Sequence, residues 1–116
     1  MTPNKRGDIV FLPFPYTDAV GAKDRPGLVI STDRYNLSSP MVVVAQITSQ
    51  VRVKRESGDY DLKRWRESGL RYPSVIRARL MTVHATRIIR KLGAVSGEEM
   101  KLIDHGFHAA LGLRTN

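Results

Sequence analysis

The run Met41-Val42-Val43-Val44-Ala45-Gln46-Ile47-Thr48 restricts the fold more than any other stretch of the chain. Its β-branched side chains lose rotamer freedom in a helix and pack well on a pleated surface, and the run is too short for an ordinary globular helix. Its apolar part, Met41 to Ala45, also falls far short of the roughly 20 residues needed to cross a bilayer. The run therefore predicts a strand at the centre of a sheet, not a membrane span.

Around it stand other strand-length apolar pieces bounded by Gly, Pro and Asp: Gly7–Leu12, Arg25–Ser31, Ser74–Arg79, Met81–Ala85 and Arg87–Leu92. Pro13 to Asp24, with Pro13, Pro15 and Gly21, reads as a mobile surface loop. Residues 52–72 are polar and mixed in charge, with one helical turn expected around Asp61 to Trp65. The C-terminus reads as a helix. Ser96-Gly97-Glu98-Glu99 has capping-box spacing and sets carboxylates at the positive end of the helix dipole. Met100, Ile103, Phe107, Ala110 and Leu111 recur every three or four residues as a buried stripe, and Gly112 ends the helix. With 116 residues the chain has room for one core, so a single domain over 1–116 is expected. The fold class is mainly β with a C-terminal helix, arranged as a small antiparallel barrel.

Composition matters for the partner. The chain carries 19 basic and 11 acidic residues, a formal net charge of +8, and 13 of the cations are Arg. Residues 73–91 hold five basic groups and no acidic one. Arginine grips phosphate oxygens in pairs, so a phosphodiester backbone is the expected partner; a merely solvated basic surface is the plainer alternative. Cysteine is absent, which removes disulfides, thiolate nucleophiles and Cys-ligated zinc. No apolar segment long enough for a signal peptide follows the N-terminal basic residues, so a cytoplasmic location is expected.

No P-loop, nucleophile elbow, zinc-protease helix or dinucleotide fingerprint occurs. His105 and His108 have helical spacing beside Asp104 but lack an evident third donor, and read as surface residues; His84 reads as structural. No metal or cofactor is expected. Arg25, before Pro26, can point a guanidinium into a groove or simply close a turn. Thr48, Ser49 and Gln50 end the best strand with three hydrogen-bonding side chains suited to a ribose hydroxyl or phosphate. Beyond Ser74, Arg77 and Arg79 share a face if the strand alternates, and two like charges there call for an anion. Phe14, Tyr16 and Trp65 are candidate stacking surfaces, with core packing the alternative for Phe14.

Lys5-Arg6-Gly7-Asp8-Ile9-Val10, Lys23-Asp24-Arg25-Pro26-Gly27-Leu28-Val29-Ile30-Ser31, Ala45-Gln46-Ile47-Thr48-Ser49-Gln50 and Pro73-Ser74-Val75-Ile76-Arg77, in this order and spacing, resemble the MazF/PemK toxin family over nearly the whole chain. The resemblance implies an SH3-like barrel, a homodimer, and metal-independent cleavage of single-stranded RNA by its own 2′-hydroxyl. It also implies a cognate acidic antitoxin as partner. By position, Arg25 corresponds to the family's catalytic arginine, Thr48 to its paired hydroxyl residue, and Arg77 to a further functional arginine. Asp18, Lys23, Ser49, Gln50, Ser74 and Arg79 are then expected to bind RNA, and Asp18 in the loop is the one nearby carboxylate with a case as acid or base. Arg79 stands where some relatives have an acidic residue, which leaves the acid and base open. Two other readings share the barrel or the family: a gyrase inhibitor of the CcdB type, and a silent member that binds RNA without cutting it.

Overall fold

The structure is a computed structural model and describes residues 3–15 and 22–113. Six antiparallel strands form one curled sheet, a half-barrel: β1 (Asp8–Pro15), β2 (Ala22–Val29), β3 (Met41–Thr48), β4 (Tyr60–Asp61), β5 (Val75–His84) and β6 (Arg90–Ala94). Their spatial order is β4-β5-β3-β2-β1-β6, so the Val-rich β3 sits inside the sheet, as its composition predicts. A short helix α1 (Asp33–Ser38) follows β2, and α2 (Gly97–Leu111) closes the chain.

Both faces of the sheet are covered at its centre. On one, Ile9, Leu28, Ala45, Ile47 and Ile76 meet Met100, Ile103 and Phe107 of α2. On the other, Val10, Leu12, Phe14, Val29, Val42 and Val44 pack with Met81, Val83 and Ile88. Two-sided burial explains why these strands read as continuous apolar runs instead of alternating ones.

Several boundaries differ from expectation, each for a physical reason. β1 runs on to Pro15 and β2 starts at Ala22, paired as Pro13↔Asp24, Phe14↔Lys23 and Pro15↔Ala22. The two ends of the expected Pro13–Asp24 loop, Pro13–Pro15 and Ala22–Asp24, are thus paired strand, and residues 16–21, with Asp18 and Tyr16, lie outside the described residues. The two prolines are tolerated because the backbone of Phe11 faces the β6 side, where its carbonyl accepts the Ile89 N–H. Pro13 and Pro15 face the same side beyond the last β6 pair, where no ladder donor is required. Ser74–Arg79 and Met81–Ala85 are one strand, interrupted where the register jumps from Gln46↔Arg77 to Ala45↔Leu80. Ala78 and Arg79 bulge there, which is why two strands were expected. The helical turn expected at Asp61–Trp65 comes slightly later, with Ser68 N–H bonded to Arg64 O at 3.0 Å.

Helix α1 was not anticipated, although Thr32 caps it by accepting the Tyr35 N–H and Asp33 occupies its first turn. In α2 the Ser96 hydroxyl accepts the Glu99 N–H at 3.3 Å, and Gly112 adopts the left-handed conformation at φ 71°. Only half of the capping box forms, however. The Glu99 carboxylate turns instead to Tyr60 Oη at 2.8 Å, Lys63 N at 2.7 Å and Arg64 N at 3.3 Å. The stripe buries Met100, Ile103 and Phe107 but leaves Leu111 exposed.

Candidate functional site

β2 and β3 pair through Gly27↔Gln46, Leu28↔Ala45 and Val29↔Val44. The pairing stops at Gly27↔Gln46, so Arg25 and Thr48 both lie beyond the last pair, at the same end of the two strands. Both residues line a cleft of about 420 Å³. Arg25–Pro26 and Ile47–Thr48–Ser49 all contribute to its wall, so the cleft wraps round the end of the sheet instead of lying on one face.

The far wall is the segment Gly69–Tyr72 with Ser74, and the floor includes Phe11 of β1 and Arg90 and Leu92 of β6. Backbone packs on backbone here. A Cβ on Gly93 would stand 2.0 Å from Ser68 O, and one on Gly69, whose φ is +96°, would stand 2.2 Å from Leu92 O. The segment leading into this wall is tied down by Glu99 through the three donors named above. Burial, then the hydrogen bond and charge of Glu99, push the Tyr60 hydroxyl up to about 12, so Tyr60 is a neutral donor to that carboxylate.

Chemically the cleft is cationic with apolar faces. Arg25, Arg71 and Arg90 bring three guanidiniums and Asp24 one carboxylate. Arg90 lies over the Phe11 ring, 5.6 Å from its centroid, and Tyr72 is 65% exposed. Thr48 Oγ1 accepts the Gln50 N–H at 3.1 Å, which orients the hydroxyl while leaving its proton to donate. The Ser74 hydroxyl donates to Tyr72 O at 2.8 Å and shapes the wall.

Of the residues expected at the site, the structure brings Arg25, Thr48, Ser49 and Ser74 together. Lys23 and Gln50 are exposed beside the cleft and do not line it. Arg77 and Arg79 are elsewhere, and the anion they require is the chain's own. Arg77 Nε bonds Asp59 Oδ1 at 3.1 Å; its Nη2 lies 3.1 Å from Asp59 Oδ2, 3.1 Å from Glu56 Oε1 and 3.2 Å from Lys54 O. Arg79 pairs with the same Glu56, holding that carboxyl below the usual carboxylate range. Arg77 is buried and Arg79 exposed. Neither guanidinium therefore lines the cleft with Arg25 and Thr48; the pair fastens residues 54–59 to β5. Phe14 is core, Trp65 packs on the core under Arg66, and His84 caps the 3-10 turn Ala85–Arg87.

Phe11, Arg71, Tyr72 and Arg90 were not singled out from sequence. The cation-only stretch 73–91 hinted at Arg90, but nothing local joins it to Phe11.

A family model described as a PemK-like, MazF-like toxin of type II toxin-antitoxin systems matches residues 5–111. The chain is similar to endoribonuclease EndoA of Bacillus subtilis strain 168, 28% identical over 112 residues that cover 94% of this chain and 95% of that relative. It is also similar to endoribonuclease MazF of Staphylococcus saprophyticus, 24% identical over 96% of this chain and 93% of that one. Its fold resembles MazF of Deinococcus radiodurans, with a TM-score of 0.75 at 21% identity over 97% of this chain and 100% of that one. A mycobacterial endoribonuclease in complex with its cognate antitoxin superposes at a TM-score of 0.78, 19% identical over 97% and 99% of the two chains. With the family model spanning nearly all of the sequence, this chain belongs to the PemK-like, MazF-like toxins of type II toxin-antitoxin systems.

Proposed function

We propose that the chain is a sequence-selective endoribonuclease that cuts single-stranded RNA without a metal, using the RNA's 2′-hydroxyl as nucleophile. The observation that carries this reading is the cleft that Arg25 and Thr48 both line, beyond the last pair of the adjacent strands β2 and β3. In this reaction the 2′-oxygen bonds to phosphorus, the bond from phosphorus to the 5′-oxygen breaks, and a 2′,3′-cyclic phosphate and a 5′-hydroxyl are left. Negative charge gathers on the non-bridging oxygens as the phosphorane forms. A guanidinium aimed there stabilises the transition state more than the ground state, and this is the role of Arg25. Thr48, oriented by its bond from Gln50, positions the 2′-hydroxyl or the scissile phosphate. Arg71 and Arg90 attract the flanking backbone, and Ser49 supplies a further hydrogen bond.

The cleft charge also suits an acidic antitoxin segment that covers the same surface as RNA, and a homodimer acting in the cytoplasm fits the family. Among the described residues no helix is long and apolar enough to cross a membrane.

The test is incubation of purified protein with RNA in EDTA. Cleavage is expected, with cyclic phosphate ends, and a 2′-deoxy substitution at the cut nucleotide should block it. Intact RNA together with gyrase inhibition would replace this reading with the protein-poisoning one, and RNA bound but uncut would make the chain a silent member.

A further inference from the structure

We infer that Asp24 reads a base, selecting guanine at one fixed position of the RNA in the cleft. This inference rests on the ribonuclease reading and concerns which base the site accepts. Asp24 is the one carboxylate among the described residues that line the cleft, in a wall otherwise charged by Arg25, Arg71 and Arg90. A negative group there repels the phosphate backbone, so backbone binding does not account for it. Nor does pairing within the chain. Glu56 and Asp59 are held by Arg77 and Arg79, whereas among the described residues no donor engages the exposed Asp24 carboxylate.

The cleft offers what a base requires besides an edge contact. Its volume of about 420 Å³ lies within the roughly 300–1,000 Å³ of small-ligand pockets. Phe11, Leu70, Tyr72 and Leu92 present flat or apolar faces for stacking. A carboxylate accepts and cannot donate, and its two oxygens match two adjacent donors. Among the four RNA bases only guanine carries adjacent donors, N1–H and the 2-amino group, on its Watson–Crick edge. Adenine and cytosine set an amino group beside an acceptor nitrogen, and uracil flanks its single N–H with two carbonyl oxygens.

Asp24→Asn is the discriminating variant. It keeps the size of the side chain but presents one acceptor and one donor, a pattern that each of the four bases can meet with a donor beside an acceptor, so the selection of two adjacent donors is removed. Cleavage ends from a randomised RNA pool, sequenced for wild type and Asp24→Asn, should show guanine enriched about five- to hundred-fold at one position for wild type. The variant should lose that enrichment there, with the other three bases rising toward their share of the pool. In parallel, each protein is titrated with guanosine, adenosine, cytidine and uridine 5′-monophosphates and followed by amide NMR shifts. Wild type should bind the guanosine nucleotide tightest, and Asp24→Asn should not. Equal binding of all four nucleotides by wild type, or an unchanged preference in the variant, overturns the inference. If RNA stays intact but the nucleotide preference behaves as stated, the ribonuclease reading fails and the base contact stands.

Discussion

Replacing Arg77 with Met separates two roles that its position in the sequence leaves entangled. Met keeps much of the side-chain volume and removes the charge. What remains is Asp59, whose side chain is 2% exposed and whose two oxygens otherwise receive Arg77 Nε and Nη2 at 3.1 Å. Asp59 Oδ2 retains only the Glu56 N–H at 2.8 Å. Breaking a buried pair by removing one partner costs about 3–5 kcal/mol because the other charge is stranded. Against a total stability of about 5–15 kcal/mol that is a large fraction, and at about 4 °C per kcal/mol it lowers the melting temperature by about 12–20 °C. Adding Asp59→Asn neutralises the stranded charge and should recover at least half of the loss. The measurement is a double-mutant cycle by urea denaturation, with RNA cleavage assayed at a temperature where every variant is folded. Arg77→Met that stays within about 1 kcal/mol of wild type yet cuts no RNA would refute the reasoning and return Arg77 to the substrate.

Arg25→Ala should lower cleavage at least about 100-fold, as loss of a transition-state donor does, with an unchanged far-ultraviolet circular dichroism spectrum; a folded variant cutting at the parental rate would remove Arg25 from the mechanism. Gly93→Ala should destabilise by at least about 1–3 kcal/mol, because its Cβ meets a backbone carbonyl at 2.0 Å, whereas Gly97→Ala, with nothing within 4 Å, should be neutral or stabilising. Equal melting temperatures for the two variants would contradict the backbone packing of the cleft wall. Tyr60 has an ordinary value of 10.0 and a folded value of about 12. Its neutral form is therefore the one the fold favours, so the contribution is fully present below pH 10 and is lost as pH rises toward 12. Tyr60→Phe should flatten the decline of stability in that window relative to wild type, as read by denaturation at pH 9, 10 and 11.

What was legible in the sequence was what neighbouring residues decide. The β-branched run of β3 and the Ser96 cap both carry their cause within a few positions, and both appear where they were expected. Pro13 and Pro15 misled because proline breaks a strand only where a ladder donor is needed, and whether one is needed depends on where β6 stops, far along the chain. Glu99 misled for a related reason. Its spacing from Ser96 fits a reciprocal cap, but three donors from the 60–64 segment outcompete the single Ser96 N–H for a buried carboxylate.

The arginines show most clearly how far local pattern reaches. Two like charges expected on one face of β5 do require an anion, and that physics holds in the structure; only the identity of the anion was hidden, because Glu56 and Asp59 come from a loop whose path the sequence does not reveal. A phosphate and a folded-back carboxylate satisfy the same electrostatic demand, so charge pattern alone cannot rank them. Register can. It ties Arg77 to a carboxylate that is nearly excluded from water, and it leaves Arg25 beyond the last β2–β3 pair, in the cleft that Thr48 also lines. A guanidinium enclosed in the interior with a buried carboxylate acts on its own chain, whereas one that lines a cationic cleft is placed to meet a developing phosphorane. That difference in surroundings, and not the residue type they share, is why loss of Arg77 should register first as stability and loss of Arg25 first as rate.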